Sequence, residues 1–114
     1  MSPSPFCLND LAYVRLDSNS LNPSHVIVVP RRHVADFLEM TPQEKAAILE
    51  LLGTARQMIQ AQRAPHGYNI GVNVGPAAGQ SRMHVHVHLI PRYVGDVANP
   101  KGGVRCVLEN KRAV

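Results

Sequence analysis

His84-Val85-His86-Val87-His88-Leu89-Ile90 alternates imidazoles with aliphatic side chains over seven residues, and Pro91 follows it. Strict alternation is the period of a β-strand with one buried face, so the stretch predicts a strand over 84–90 that closes at Pro91. On such a strand the three histidines share one face, with Cα atoms of neighbouring pairs about 6.5–7 Å apart. Val85, Val87 and Leu89 then turn towards a core. Thr, Lys, Glu or Ser would serve a strand that needed only a polar outer face. Three of the chain's six histidines on one stripe point instead to work that imidazole does: proton transfer, nucleophilic attack, phosphate contact or metal ligation.

Working outward, the run Gly75-Pro76-Ala77-Ala78-Gly79-Gln80-Ser81 leads straight into the stripe. Small residues let backbone N–H groups approach a phosphate closely. Before it, 68–74 reads as a strand. Thr41-Pro42-Gln43-Glu44 is a helix start, with Thr41 at N-cap, Pro42 at N1 and Glu44 closing a capping box. Ala47, Ile48, Leu51, Leu52, Ala55, Met58 and Ile59 recur at helical spacing behind it, which predicts one long scaffold helix over 41–63, stopped by Pro65 and Gly67. Residues 11–16 and 25–29 read as strands, the second ending at Pro30, with a turn-rich segment between them. Residues 1–9 read as an irregular arm, 96–103 as a loop, 104–108 as a last strand and 109–114 as a frayed tail. His66 is expected at the surface, Tyr68 and Tyr93 in packing roles, and Arg92 and Arg105 as solvated charges. The order of elements predicts an α+β fold: an antiparallel sheet with the helix on one face. A single domain over 1–114 follows, its core at about 10–108.

The chain's 114 residues, 45% of them hydrophobic, suit one core. Aromatics are only 4% and Trp is absent, so that core must be aliphatic. No stretch approaches the roughly 20 apolar residues needed to cross a bilayer, and MSPSPFCLND lacks the basic and apolar regions of a secretion signal. Cys7 and Cys106 are too few for a disulfide framework. A cytoplasmic location is the expectation. The formal charge of +4 is scattered, with neither the clustered patch nor the interleaved aromatics of nucleic-acid binders. Such a field suits a small polyanion such as a nucleotide polyphosphate.

Phosphoryl chemistry accounts for stripe and loop together. Neutral imidazole attacks phosphorus, and an ordinary pKa near 6.5 leaves most of it neutral at pH 7. His86 has a histidine on either side to hold or protonate substrate oxygens. Metal ligation is the rival, since His-x-His on a strand can chelate, but the adjoining loop offers no carboxylate.

These residues resemble the histidine triad (HIT) superfamily. His84–Ile90 fits its His-φ-His-φ-His-φ-φ signature, 22–34 (NPSHVIVVPRRHV) looks like an earlier block of that family, and 68–81 (YNIGVNVGPAAGQS) like a second. The ending from Gly95-Asp96-Val97 through 100–105 (PKGGVR) is similar to bacterial members near the fragile-histidine-triad and dinucleoside-polyphosphate hydrolase branch. The resemblance implies a HIT-like antiparallel sheet of about five strands with one long helix and a shorter helical turn. It also implies a homodimer whose two sheets join. The implied activity is cleavage at the α-phosphorus of a nucleoside 5′-phosphate derivative through a nucleotidyl-histidine, dinucleoside polyphosphates such as diadenosine tetraphosphate being the first substrates to try. Nucleoside phosphoramidates are the alternative, and a non-enzymatic nucleotide sensor the next.

By the same resemblance His86 is the nucleophile, and His88 contacts phosphate oxygens and assists proton movement. His84 and His25 orient the site, and Gln80 lies near the leaving-group oxygen. Ser81 contacts phosphate, Asp17 the ribose hydroxyls, Ile27 the nucleobase, while Asn73 faces the nucleotide; Gly79, from the small-residue loop itself, is the further nucleotide-binding candidate. Local alternatives stand beside some of these: an Asx-type turn for Asp17, core packing for Ile27, a backbone bond for Ser81. No cofactor is implied, divalent cations arriving only with polyphosphate substrates. Two departures stand out. Ser24 occupies a place where the family usually has Gly, which leaves Ser strained if the turn needs positive φ. Some relatives hold structural zinc through a Cys-x-x-Cys, but here the segment is Ser4-Pro5-Phe6-Cys7. One thiolate is missing, so no zinc is expected on Cys7, His33 and His84.

Overall fold

The computed structural model describes residues 6–108. Five strands form one antiparallel sheet: β1 (Cys7–Leu8), β2 (Ala12–Leu16), β3 (Val26–Pro30), β4 (Gly67–Val72) and β5 (Val87–Arg92). Their spatial order is β1-β2-β3-β5-β4, and every neighbouring pair runs antiparallel. The α+β expectation holds. One long helix, α1 (Pro42–Arg63), covers one face.

Helix α1 begins where the sequence places it. Thr41 Oγ1 accepts from the Glu44 amide at 3.1 Å, and Glu44 Oε1 accepts from the Thr41 amide at 2.9 Å. These two bonds satisfy orphan donors of the first turn. The helix ends as Ala64 takes a left-handed φ of 45° just before Pro65. Ile48, Leu51, Leu52, Ala55 and Ile59 are buried against Ala12, Val14, Val26, Val28, Val85, Val87 and Leu89 of the sheet segments. Each of the Val, Leu and Ile side chains contributes roughly 1.5–3 kcal/mol on burial, and together they fix the sheet's back face. The opposite face carries His84, His86 and His88.

The histidine stripe departs from expectation at both ends. Its strand runs from Val87 to Arg92, so His84 and His86 precede it. The Val85 amide instead donates to Val34 C=O at 2.8 Å, which continues the alternation: Val85, Val87 and Leu89 are buried, while His84, His86 and His88 are partly exposed. Pro91 lies inside the strand opposite Tyr68 rather than closing it. Its carbonyl accepts from the Asn22 side chain at 3.0 Å, and a strand residue's N and O point the same way. The missing N–H therefore falls on the β3 side, where pairing has already stopped at Val26–Leu89.

Three further expectations are corrected. Residues 7–8, read as part of an irregular arm, supply edge strand β1 through pairing with Tyr13 and Val14. Residues 104–108 are not a strand: a 3-10 turn runs over Gly103–Val107, because Gly102 and Gly103 both adopt positive φ and coil the chain. Strand β4 stops at Val72, short of Val74. The tail at 109–114 and residues 1–5 of the arm lie outside the described residues.

Candidate active site

A pocket of about 1020 Å³ opens on the sheet face away from α1. Strands β2 and β3 floor it with Tyr13, Ile27 and Val29, and the stripe contributes His84, His86 and His88. The expected nucleotide-facing residues Asp17, Ile27, Asn73, Gly79 and Ser81 all line it, as does His25. Arg15 and Arg82 also line it, which suits an anionic ligand. The turn at 103–108 adds Val104, Cys106 and Leu108 as one wall. Sequence reasoning missed that wall because it took the segment for a strand.

Backbone carbonyls set the proton positions on two of the stripe's rings. A carbonyl only accepts, so the nitrogen facing it carries hydrogen. His84 Nε2 donates to Pro30 C=O at 2.7 Å. His86 Nδ1 donates to His84 C=O at 3.1 Å. In neutral His86 the free lone pair is therefore on Nε2.

His25 and His88 are ordered by the same logic. The Leu21 amide donates to His25 Nδ1 at 3.0 Å, so that nitrogen holds a lone pair and the ring's proton sits on Nε2. His25 Nε2 then donates to His88 Nδ1 at 3.0 Å. Neutral His88 is left with its proton on Nε2. Asp17 Oδ2 stands 3.3 Å from His25 Nε2 and 3.4 Å from His88 Nδ1, while its Oδ1 accepts from the Asn19 amide at 3.0 Å. Asp17 thus fills the local turn role and faces the pocket as well. Burial lowers the His25 pKa below the ordinary 6.5, opposed by the Asp17 charge. Burial also lowers His88, reinforced by the neighbouring His25 and His86 and opposed by Asp17. Both directions agree with rings held neutral.

Asp17, His25 and His88 also place their ligand atoms within 4.8 Å of one another, close enough to hold a metal ion. The hydrogen-bond pattern argues for a proton chain instead. A metal on His25 Nε2 needs the lone pair there and moves the proton to Nδ1, against the Leu21 amide. The rings of His33 and His84 lie 5.0 Å apart, but Cys7 does not join them in a ligand group among the described residues.

The small-residue loop has a built-in brace. Gly75 and Gly79 take φ of 88° and 98°, open to glycine without cost, around a 3-10 turn at Pro76–Ala78. Gln80 is 6% exposed and does not line the pocket. Its Oε1 accepts from the Gly75 amide at 2.8 Å, and its Nε2 donates to Ala35 C=O and Arg82 C=O at 2.8 and 2.9 Å. It holds the loop rather than facing a leaving group. Ser24 has φ of 66°, the strain anticipated for a non-glycine residue there. Arg92, expected as a solvated charge, is a strut: it makes a two-pronged ion pair with Asp96 at 2.8 and 2.9 Å and donates to Asn69 Oδ1 at 2.6 Å. His66 is exposed, and its Nδ1 accepts from the Val94 amide at 2.9 Å.

The HIT domain family pattern matches residues 5–95. Over 87 residues the chain is 39% identical to the AP-4-A phosphorylase of Mycobacterium tuberculosis, a match that covers 75% of this chain and 45% of that protein. It is 38% identical over 74 residues to the asymmetrical bis(5'-nucleosyl)-tetraphosphatase of Schizosaccharomyces pombe, covering 65% and 41%. The chain thus spans less than half the length of these two relatives. The crystal structure of a HIT family protein from Bacillus anthracis superposes with a TM-score of 0.77 at 31% identity, over 82% of this chain and 66% of that one. By pattern, identity and fold, the chain belongs to the HIT domain family.

Proposed function

We propose that the protein is an enzyme that cleaves a nucleoside 5′-phosphate derivative at the α-phosphorus, with His86 as nucleophile. The observation that carries this reading is the bond from His86 Nδ1 to the His84 carbonyl, which leaves Nε2 as the attacking atom on a residue lining the pocket. Attack forms a bond from Nε2 to phosphorus as the bond to the leaving oxygen breaks. The ring then carries positive charge, and the His84 carbonyl stabilises it through the Nδ1–H. Neutral His88, with its proton on Nε2, supplies a hydrogen bond to a phosphoryl or leaving oxygen, and the polyphosphate departs as its anion. Water next attacks phosphorus, the P–N bond breaks with its electron pair returning to Nε2, the water's surplus proton passes to solvent, and the nucleoside monophosphate leaves with neutral His86 restored.

Asp17, beside His25 and His88 in the pocket, would accept from ribose hydroxyls, and Ile27 would offer apolar surface to a base. Ser81 and the amides around Gly79 would meet phosphate. The two named relatives act on dinucleoside tetraphosphates by their names, which favours an anhydride over an amine leaving group. A homodimer belongs to the same proposal: among the described residues β4 ends the sheet with its outer edge unpaired, and exposed Ile70 on it lines a shallow groove with exposed Leu49 of α1. The deciding experiment is incubation of purified protein with diadenosine tetraphosphate and with an adenosine phosphoramidate. Monophosphate release lost in His86→Ala supports the enzyme. Tight nucleotide binding without turnover by the wild type refutes it in favour of a sensor.

A further inference from the structure

The turn at 21–25 carries the amide that fixes His25, and its own geometry is costly. Ser24 holds a φ of 66°, which costs an L-residue with a Cβ roughly 1–2 kcal/mol. Such strain persists only where surrounding contacts over-determine it. Three side chains from distant segments grip the turn. Asp96 Oδ2 accepts from Asn22 Nδ2 at 2.8 Å, Tyr93 Oη donates to Pro23 C=O at 3.1 Å, and Arg63 Nε donates to Ser24 Oγ at 3.2 Å. The Asp96 grip is the most rigidly founded. Its carboxylate also takes both prongs of Arg92 and the Tyr93 amide at 3.1 Å, and Arg92 is itself tied to Asn69 of β4. Asn22 in turn donates to Pro91 C=O and accepts from the His25 amide at 3.1 Å.

We propose that Asp96 is a positioning residue for the histidine chain: through Asn22 it holds the 21–25 turn so that the Leu21 amide keeps the His25 proton on Nε2. This rests on the catalytic reading above, since the consequence of that tautomer is a His88 that presents its own Nε2–H to substrate. Asp96 touches neither substrate nor a ring. It acts only through the turn. Arg92, the Tyr93 amide and Asn22 hold its carboxyl well below the usual carboxylate range, so the grip is ionised at neutral pH.

The test reads tautomers directly, by nitrogen-15 NMR of the histidine rings in the full chain. In wild type, His25 shows a bare Nδ1 and a protonated Nε2. In Asp96→Ala, His25 becomes a mixture of tautomers while His86, whose bond to the His84 carbonyl does not pass through the turn, keeps its own. With whichever nucleotide ester is turned over, kcat falls about tenfold and KM stays within about twofold. Adding Ser24→Gly removes the positive-φ penalty, which outweighs the exposed Arg63 bond lost with the Ser24 hydroxyl, and restores the single His25 tautomer. Asn22→Ala releases the same grip with the Asp96–Arg92 pair intact, and serves if Asp96→Ala does not fold. An unchanged His25 tautomer in the folded variants overturns the proposal, as does a change in His86 alongside it, or a double variant that stays mixed. The NMR arm stands even if no substrate is turned over, so failure of the catalytic reading and failure of this inference are distinguishable.

Discussion

Replacing Glu44 by Gln should destabilise the protein at neutral pH and much less in acid. Glu44 is buried to 4% exposure and closes two devices at once: the capping bond to the Thr41 amide and a two-pronged bond from Arg32 Nε and Nη2 at 2.9 and 2.8 Å. The Arg32 bonds, then the Thr41 amide, pull its pKa from 4.5 down to about 2. A folded-state pKa below the unfolded one means that the unfolded chain binds the proton first, so the stabilisation is complete above about pH 5 and is lost as pH falls towards 2. A shift of that size corresponds to about 3 kcal/mol at most. The Arg32 side chain is 53% exposed, so solvent screening brings the expected value to about 1–2 kcal/mol. That is a fall in Tm of roughly 4–10 °C for Glu44→Gln at pH 7. The consequence reaches the site, because the segment after Arg32 supplies Val34 C=O to Val85 and Ala35 C=O to Gln80. Urea unfolding of both proteins at pH 7, 5 and 3.2 gives the assay, with half the difference gone near pH 3.2. A difference that stays constant across that range would refute the linkage.

Stability should also respond to pH through the buried histidines, in a separate window. His25 and His88 have folded pKa values lowered from 6.5, so native protein resists protonation and loses stability as pH drops below 6.5. Urea titrations from pH 7.5 to 5 should show a shallower decline in His25→Gln; equal slopes would count against neutral rings. Gln80→Leu strands the Gly75 amide and two carbonyls, and about 3 kcal/mol of stability should go with them, measurable by thermal unfolding. Gly79→Ala has room for its Cβ, 3.7 Å from Asn73 Nδ2, so its cost of about 1–2 kcal/mol comes from the φ of 98° alone. A neutral effect on Tm would show that the loop turns freely.

The parts of this fold that repeat were legible in the sequence, and the parts held by single side chains were not. Helix α1 announced itself because Thr41, Pro42 and Glu44 are local signals and its apolar residues recur at one period. The stripe's alternation gave the right faces even though His84 and His86 precede the strand, since burial depends on period and not on ladder bonds. Strand β1 was hidden because two residues carry no period; only pairing with Tyr13 and Val14 makes them a strand. Residues 104–108, read as a strand, carry no period of their own, and the positive φ of Gly102 and Gly103 coils them into a 3-10 turn. At the site, residue types pointed to the stripe's histidines and the family resemblance to His25 and Asp17, all of which line the pocket, but the Leu21 amide and Asp96 act through backbone and turn geometry. No composition marks a main-chain N–H as the group that sets a tautomer. Ser24 did leave a trace, as a non-glycine residue where glycine was expected.

Whether His86 attacks phosphorus itself is best answered by the stereochemistry of cleavage. A dinucleoside polyphosphate made chiral at the α-phosphorus by sulfur and an oxygen isotope is hydrolysed, and the configuration of the released thiomonophosphate is determined. Two in-line displacements, first by His86 and then by water, return phosphorus to its starting configuration, and retention is the expected result. Inversion would mean that water attacks directly, and would contradict a covalent intermediate on His86.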